Sequence, residues 1–441
     1  MLNDFASISH CGKNSLDEIP NIYDYMVLKE QEYTYFEPER AREIFFLLKP
    51  HLHLKSFNIH IIGTNGKGST GRFLAQSLFE SGYKILHFTS PHLLDFSERF
   101  YIDDHVVDCD KLQKAHLFLQ QFDFINRASY FEYATFLAFV LGEDSDFLIM
   151  EAGVGGEHDS TSVLDYDVTI FTRIGIDHKD LLGNDLQSIA ITKLRAAQGR
   201  IFVHFQDNDV LNIFSNLGSV VASGYYANNK LGDISYLRPS DMQHELVRLS
   251  SNKNDLPMFL QENLALVSLV VEYININVKK VNLTNSPLKL RARCEIFNPQ
   301  IMLDVGHNEM AAQAALNEML RFSNGEKFIL IYNSYKGKEV SKILEIFQHY
   351  VEKIVIFAVE HQRILPQESI IKDIDRLGIG YEVFSIYEQN LLHFSKCLVE
   401  SMTSFFNSDK KYLVFGSFSL VESFLLWYQN REGYKVNGSK K

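Results

Sequence analysis

Cysteine is scarce. Cys11, Cys109, Cys294 and Cys397 are scattered over 441 residues with no CxxC pair. Such scatter offers neither a disulfide framework nor a zinc site, and it predicts reduced cytosolic thiols. Positive charge is also in deficit, with 43 Lys+Arg against 55 Asp+Glu and a net charge of −12. That balance argues against a nucleic-acid partner or an acidic membrane surface. If the substrates are anions, local lysines, arginines and metal must draw them in against the global field. No apolar run approaches the length of a membrane span, and the opening MLNDFASISH lacks a charged-then-apolar signal pattern. A soluble cytoplasmic protein is expected. Internal repeats and low-complexity tracts are absent as well. What the chain has in quantity is apolar matter: 46% hydrophobic residues and 34 Phe, ample for two packed cores. The length predicts two domains, or three at most.

The most informative stretch is Phe57–Thr70, FNIHIIGTNGKGST. Its apolar run Ile59–Ile62 predicts a buried strand. The strand breaks into a loop, Gly63-Thr64-Asn65-Gly66-Lys67-Gly68, and Ser69 and Thr70 lead into a helical pattern. A strand, a glycine loop with one lysine and a helix form a phosphate cradle. Loop N–H groups and the helix N-terminus face the anion, and Lys67 adds a full positive charge. Ser69 can offer a hydroxyl to Mg²⁺. The spacing differs from GxxxxGK[ST], because Gly68 separates Lys67 from Ser69.

Around this unit the chain reads as α/β. Residues 1–56 are mostly helical, with a helix start at Glu37-Pro38 inside Tyr33–His51. After the loop come a helix at Gly71–Ser81, a strand at Lys84–Thr89 and the turn Ser90-Pro91-His92. Phe131–Leu141 is an apolar helix. Asp146–Met150 and Val168–Thr172 are buried strands; the first ends in Glu151 and the second leads to Asp177-His178. Gly153-Val154-Gly155-Gly156 follows Glu151, without the third glycine of a dinucleotide-binding GxGxxG. A helix around Ser188–Ala197 carries Lys193. Residues 201–256 show no motif, Leu260–Tyr273 is a helix, and the turn-prone Asn282–Leu290 is a linker. Strands then recur at Gln300–Leu303, Phe328–Tyr332, Lys353–Val359, Tyr381–Ser385 and Tyr412–Phe415, which implies a second parallel α/β sheet.

Ligands of open α/β sheets sit beyond the carboxyl ends of strands. Gly63–Ser69, Ser90, Glu151 and His178 all stand just past predicted strands. Glu151 is placed like the acid that holds Mg²⁺ in P-loop enzymes.

With these residues in view, the chain resembles the folylpolyglutamate synthase/dihydrofolate synthase family of the Mur ligase superfamily. The resemblance rests on GTNGKGST at 63–70, TSPHLLDFSERFYI at 89–102, FEYATFLAF at 131–139, EAGVGGEHDSTS at 151–162 and IGIDH at 174–178. Asn263, Arg293, LDVGHN at 303–308 and FGS at 415–417 continue it. The resemblance implies an N-terminal P-loop ATPase domain with a mostly parallel sheet, residues 1–287, and a smaller C-terminal Rossmann-like domain, residues 288–441. It implies an ATP-dependent ligase that adds L-glutamate to dihydropteroate, to folates, or to both. By position, Lys67 holds phosphates, while Ser90, Glu151 and His178 coordinate Mg²⁺. Lys193 is carbamylated and acts as an anionic ligand. Asn263, Arg293, Asp304 and His307 contact the nucleotide. Thr89, Ser90, Pro91, His92 and Arg99 belong to the loop that holds the pterin-bearing substrate. ATP, Mg²⁺ and K⁺ are the implied cofactors, and a monomer acting on pteroate or folate, glutamate and ATP is expected.

Some positions depart from the family pattern. Glu157 stands for Arg, Ser162 for Asn, Thr192 for Glu, and Arg291-Ala292-Arg293 for PGR. Two other readings compete. A cell-wall Mur ligase would carry a domain before the P-loop, whereas only 62 residues precede Gly63. A non-catalytic or regulatory nucleotide-binding protein derived from such a ligase would also keep the loop.

Overall fold

The structure is a computed structural model that describes residues 19–29, 37–224, 230–238, 256–359, 361–384 and 410–432. The chain divides into two compact units. The first comprises Met1–Ile176, Leu182–Leu256 and Leu260–Lys289; the second comprises Asp177–Leu181, Pro257–Phe259 and Leu290–Lys441.

The first unit is built on an eight-stranded sheet. Its strands are β1 (Phe57–Ile62), β2 (Ile85–Phe88), β3 (Phe100–Ile102), β4 (His105–Val106), β5 (Phe147–Glu151), β6 (Val168–Phe171), β7 (Gly199–Val203) and β8 (Leu231–Tyr236). The order is β4-β3-β2-β5-β1-β6-β7-β8, with β3 and β4 as an antiparallel hairpin on one edge and the rest parallel. The central strands are short, mostly apolar runs because helices bury both of their faces, with His60, His87 and Thr169 as buried polar exceptions. Leu86, Phe88, Leu148 and Met150 meet Tyr133–Leu137 of the helix Tyr130–Leu141 on one side. Ile62, Phe171, Ile201 and Val203 meet Ile189, Ala190 and Leu194 of the helix Leu186–Leu194 on the other.

The second unit carries β9 (Glu295–Asn298), β10 (Ile301–Asp304), β11 (Phe328–Tyr332), β12 (Val351–Phe357), β13 (Tyr381–Phe384) and β14 (Tyr412–Phe415). Their order is β13-β12-β11-β14-β10-β9, parallel except for β9 at the edge. Its core joins Leu330, Tyr332, Ile354, Ile356 and Phe415 to Ala315, Met319, Ile343 and Phe347. The expected strand Tyr381–Ser385 ends at Phe384, and Ser385 lies outside the described residues.

Several expectations are corrected. The helix after the glycine loop begins at Lys67, four residues before Gly71, because Gly66 caps it from a left-handed conformation. The hairpin of β3 and β4, the helix Cys109–Leu119 and the edge strand β9 were not anticipated; the strands among them run for only two to four residues. Cys109 is disulfide-bonded rather than a reduced thiol, since sequence spacing does not report proximity in space, and Cys294 is free and buried. Cys11 and Cys397 lie outside the described residues. The helix Met258–Asn277 has the length and mean hydropathy of a membrane span, although no such run was expected. More than half of it is buried in the protein, and Gln261 and Asn263 face inward, as befits a core helix.

Candidate active site

Four adjacent strands of the first unit, β2, β5, β1 and β6, end side by side, and the site residues stand at those ends. Beyond β1, the loop is held by its neighbour. The N–H groups of Thr64 and Asn65 donate to the Arg173 carbonyl at 2.8 and 3.3 Å. The Thr64 hydroxyl donates to the Gly175 carbonyl and accepts from the Gly175 N–H, both at 3.0 Å. Gly66 has φ 89, and a Cβ there would stand 2.8 Å from Asn263 Oδ1. Left-handed backbone and close approach together require glycine at this position. Gly71, one turn into the helix, lies so close to β2 that a Cβ would come within 2.2 Å of His87 Nε2. The helix N-terminus is thereby drawn under the loop, with Gly68, Ser69 and Thr70 buried in its first turn.

Lys67 bridges loop and sheet. Its Nζ donates to the Thr64 carbonyl at 3.3 Å and stands 3.9 Å from Glu151 Oε1. Glu151 closes β5 and is buried. Its Oε2 accepts from the Thr89 hydroxyl and from the Ser90 N–H at 3.3 Å. A carboxylate at a strand end beside a serine and a lysine is an oxygen donor suited to a hard divalent cation.

The loop from Thr89 to Arg99 folds back on itself. Asp95 and Glu98 form a capping box, and Glu98 also accepts the N–H groups of Leu93 and Leu94 at 2.8 and 3.0 Å. The Thr89 N–H donates to the Arg99 carbonyl at 2.9 Å. The peptide bond Ser90–Pro91 is cis. Arg99 is buried and its Nε–H donates to His92 Nδ1 at 2.9 Å. A guanidinium can only donate, so this contact makes Nδ1 the acceptor and leaves the proton of the neutral ring on Nε2. Burial, aided by the Arg99 charge, pushes His92 down to about 3.

Lys193 is buried, and its Nζ donates to the Gly63 carbonyl at 2.9 Å. Its helix lies against the second glycine loop, where a Cβ on Gly156 would come within 2.8 Å of the Lys193 carbonyl. Asp159 organises that loop by accepting from the Val154 N–H at 2.9 Å and from the N–H and hydroxyl of Thr161 at 3.0 and 2.6 Å. Asn263, on the helix Met258–Asn277, is buried over Gly66, and its Nδ2 has no hydrogen-bond partner among the described residues. A loop that requires glycine at Gly66, faced there by a buried unpaired amide, suits a nucleotide phosphate-and-base ligand.

In the second unit, Asp304 closes β10 and is buried. It accepts from the Gly306 N–H at 2.7 Å and from the Cys294 N–H at 2.8 Å, which fixes the turn that carries His307. Burial raises its pKa, while Arg293 and these N–H groups pull it back. The Arg293 guanidinium lies 5.5 Å over the Phe418 ring. At the neighbouring strand ends, the Ser417 hydroxyl donates to Asn333 Oδ1 at 2.5 Å.

The segment Asp177–Leu181, with His178, groups with this second unit. Asp177 is buried in a cage of donors: Lys338 Nζ, Asn308 Nδ2 at 3.2 Å and His307 Nε2 at 3.5 Å. Its own Oδ1 accepts the His178 N–H at 2.8 Å, and His178 adopts φ 50. Burial raises the Asp177 pKa, but the hydrogen bond and charge of His307, with His178 and Lys338, hold it well below the usual carboxylate range. Asp177 as an anchor, Asn308 and Lys338 were not singled out from the sequence. The polar Asn308 just before the helix Glu309–Phe322 was the available signal, since it caps that helix.

Residues 61–235 match the Mur ligase middle domain. A Buchnera aphidicola (Schizaphis graminum) dihydrofolate synthase/folylpolyglutamate synthase is 28% identical over 67% of this chain and 72% of its own length. The crystal structure of Helicobacter pylori folylpolyglutamate synthetase is 33% identical, with a TM-score of 0.69, over 92% of this chain and 98% of that one. Escherichia coli FolC in complex with DHPP and ADP shares the fold, with a TM-score of 0.72 at 20% identity over 93% and 98% of the two chains. With a relative this similar along nearly its whole length, the chain belongs to the folylpolyglutamate synthase/dihydrofolate synthase family of the Mur ligases.

Proposed function

We propose that this chain is an ATP-dependent amide ligase that joins L-glutamate to the carboxyl group of dihydropteroate, of folates, or of both. The observation that carries the reading is the row of strand ends where Lys67, Glu151, Thr89 and the glycine loop meet under Asn263. A carboxylate resists attack by an amine because it is anionic and its oxygen leaves badly. Transfer of the γ-phosphoryl of ATP to that carboxylate makes an acyl phosphate; the glutamate amine adds to the carbonyl, and phosphate departs. The protein must hold a triphosphate and two carboxylates in one place. Loop N–H groups from Gly63 to Ser69 and the charge of Lys67 bind and orient the phosphates. Mg²⁺, held by Ser90, Glu151 and His178, would neutralise charge on the transferring group.

In this reading Asn263, Arg293, Asp304 and His307 contact the nucleotide. The loop with Thr89, Ser90, Pro91, His92 and Arg99 receives the pterin, and His92 presents a fixed Nε2–H donor there. Lys193, buried beside the Gly63 carbonyl, is carbamylated by CO₂ and supplies a negative charge. K⁺, a division at residues 287 and 288, a monomeric state and a cytoplasmic location complete the proposal. The test is glutamate incorporation with dihydropteroate and with tetrahydrofolate side by side, each with and without ATP. ATP-dependent amide formation with at least one acceptor supports the reading; its absence with both rejects it.

A further inference from the structure

One ion pair touches both walls of the glycine loop. The Arg173 carbonyl accepts the Thr64 and Asn65 N–H groups at 2.8 and 3.3 Å. The Arg173 side chain crosses to the helix Met258–Asn277, where Nη2 lies 3.0 Å from Glu262 Oε2. Glu262 immediately precedes Asn263, whose Oδ1 covers Gly66. His204, buried below, stands 3.9 Å from the same Glu262 oxygen. Glu262 is mostly buried, with its side chain 15% exposed, so removal of Arg173 leaves its charge poorly compensated.

We infer that Arg173 and Glu262 form a brace that holds Asn263 at a fixed height over Gly66 and so sets nucleotide affinity; the inference rests on the proposed use of this loop as the nucleotide site. The brace acts through Asn263 and the loop backbone and does not touch the reacting atoms. Its effect belongs in binding, with kcat at saturating ATP staying within about twofold.

The experiment is a double-mutant cycle on the full chain, read by calorimetric titration with ADP and by KM for ATP. R173M and E262M each raise the ADP Kd about fivefold, the scale of a part-exposed ion pair, and the double variant is no weaker than either single one. Asn263→Ala weakens ADP further, and adding R173M to it changes nothing more. Arg173→Lys keeps the charge without the planar fork and falls between wild type and R173M; it also serves if R173M does not fold. Additive effects in the double variant, an ADP Kd unchanged in both single variants, or a fall in kcat with KM unmoved would each overturn the brace. Failure of the wild-type protein to bind ADP would instead remove the proposed function, and the brace with it.

Discussion

Replacement of Gly66 by alanine separates backbone conformation from space at the centre of the site. Gly66 has φ 89, and its added Cβ would lie 2.8 Å from Asn263 Oδ1. A left-handed conformation costs an L-residue about 1–2 kcal/mol. Overpacking against a buried side chain adds typically about 1–3 kcal/mol. G66A should therefore lose about 2–5 kcal/mol, the sum of these two terms. Gly82 supplies the control, for it has φ 90 with nothing within 4 Å of its built Cβ. G82A should lose only the conformational term, about 1–2 kcal/mol. Gly71 gives the opposite case. It is helical and its Cβ would come within 2.2 Å of His87 Nε2. There the steric cost is offset by roughly 1 kcal/mol of helix propensity, and the loop conformation is untouched. Urea unfolding gives the three stabilities provided that the slope m is unchanged. ADP titration gives the function: affinity falls in G66A and is retained in G82A. Addition of N263A to G66A should recover the steric term and leave the conformational one. A G66A protein as stable as G82A, or one that binds ADP like wild type, would refute the reasoning.

Lys67→Ala should lower amide formation on the order of 100-fold or more while circular dichroism stays native, because a phosphate-binding charge is removed from the loop; a near wild-type rate would take the loop out of the mechanism. Glu151→Ala and His178→Ala should raise the Mg²⁺ concentration needed for half-maximal rate, and an unchanged titration in both would show the metal assignment to be wrong. Lys193→Ala should be nearly inactive and partly rescued by small carboxylates, with ¹³CO₂ labelling giving a carbamate signal in the active wild-type enzyme; full activity of the variant or no such signal counts against it. His60 is fully buried against Tyr166, and desolvation pushes its pKa down to about 3. Between that value and an ordinary histidine pKa of about 6.5, the unfolded chain binds a proton that the folded chain does not, so stability falls as pH falls through this window by at most about 1.4 kcal/mol per pH unit. His60→Gln should flatten that slope in pH-dependent unfolding, and an unchanged slope would show that His60 is not its source.

The central strands were legible because parallel strands buried on both faces are mostly apolar, as in Ile59–Ile62, Phe147–Met150 and Val168–Phe171, where only His60 and Thr169 interrupt the run. Strand ends were legible for the same reason: the first polar residue after each run, Glu151 or Thr89, marks where the sheet opens. The edges were not. Phe100–Ile102 and His105–Val106 are too short to show a period and owe their conformation to pairing with β2. The early start of the helix at Lys67 contradicts local preference, since Gly68 and Gly71 are poor helix formers; close packing of the helix on His87 overrides propensity there. Of the site, Lys67 and Glu151 could be placed from chemistry and spacing. Pairs such as Arg173 with Glu262 or Asp177 with Lys338 could not, because nothing in one residue's neighbourhood names a partner so far along the chain.

The departures from the family pattern are themselves structured. Glu157, where the family has arginine, accepts from Arg195 at 3.1 Å, and Arg195 stands on the turn that follows the Lys193 helix. Thr192, where the family has glutamate, bonds back to the Ser188 carbonyl at 3.1 Å, and its own carbonyl receives the Glu157 N–H at 2.9 Å. Ser162, in place of asparagine, donates to the Gly156 carbonyl at 2.6 Å. The Glu157–Arg195 pair and the Glu157 N–H bond to the Thr192 carbonyl tie the second glycine loop to the helix that delivers Lys193, whereas the Ser162 bond closes that loop on itself; none points a new charge at Lys67 or Glu151. Differences in turnover between this chain and its relatives should then trace to the placement of Lys193 before they trace to the phosphate loop. Breaking the pair as E157Q is the direct check: if the pair serves as fastening, E157Q leaves ADP affinity unaltered and lowers the rate of amide formation, and the reversed pair E157R/R195E brings that rate back; a rate unmoved by E157Q counts against the fastening.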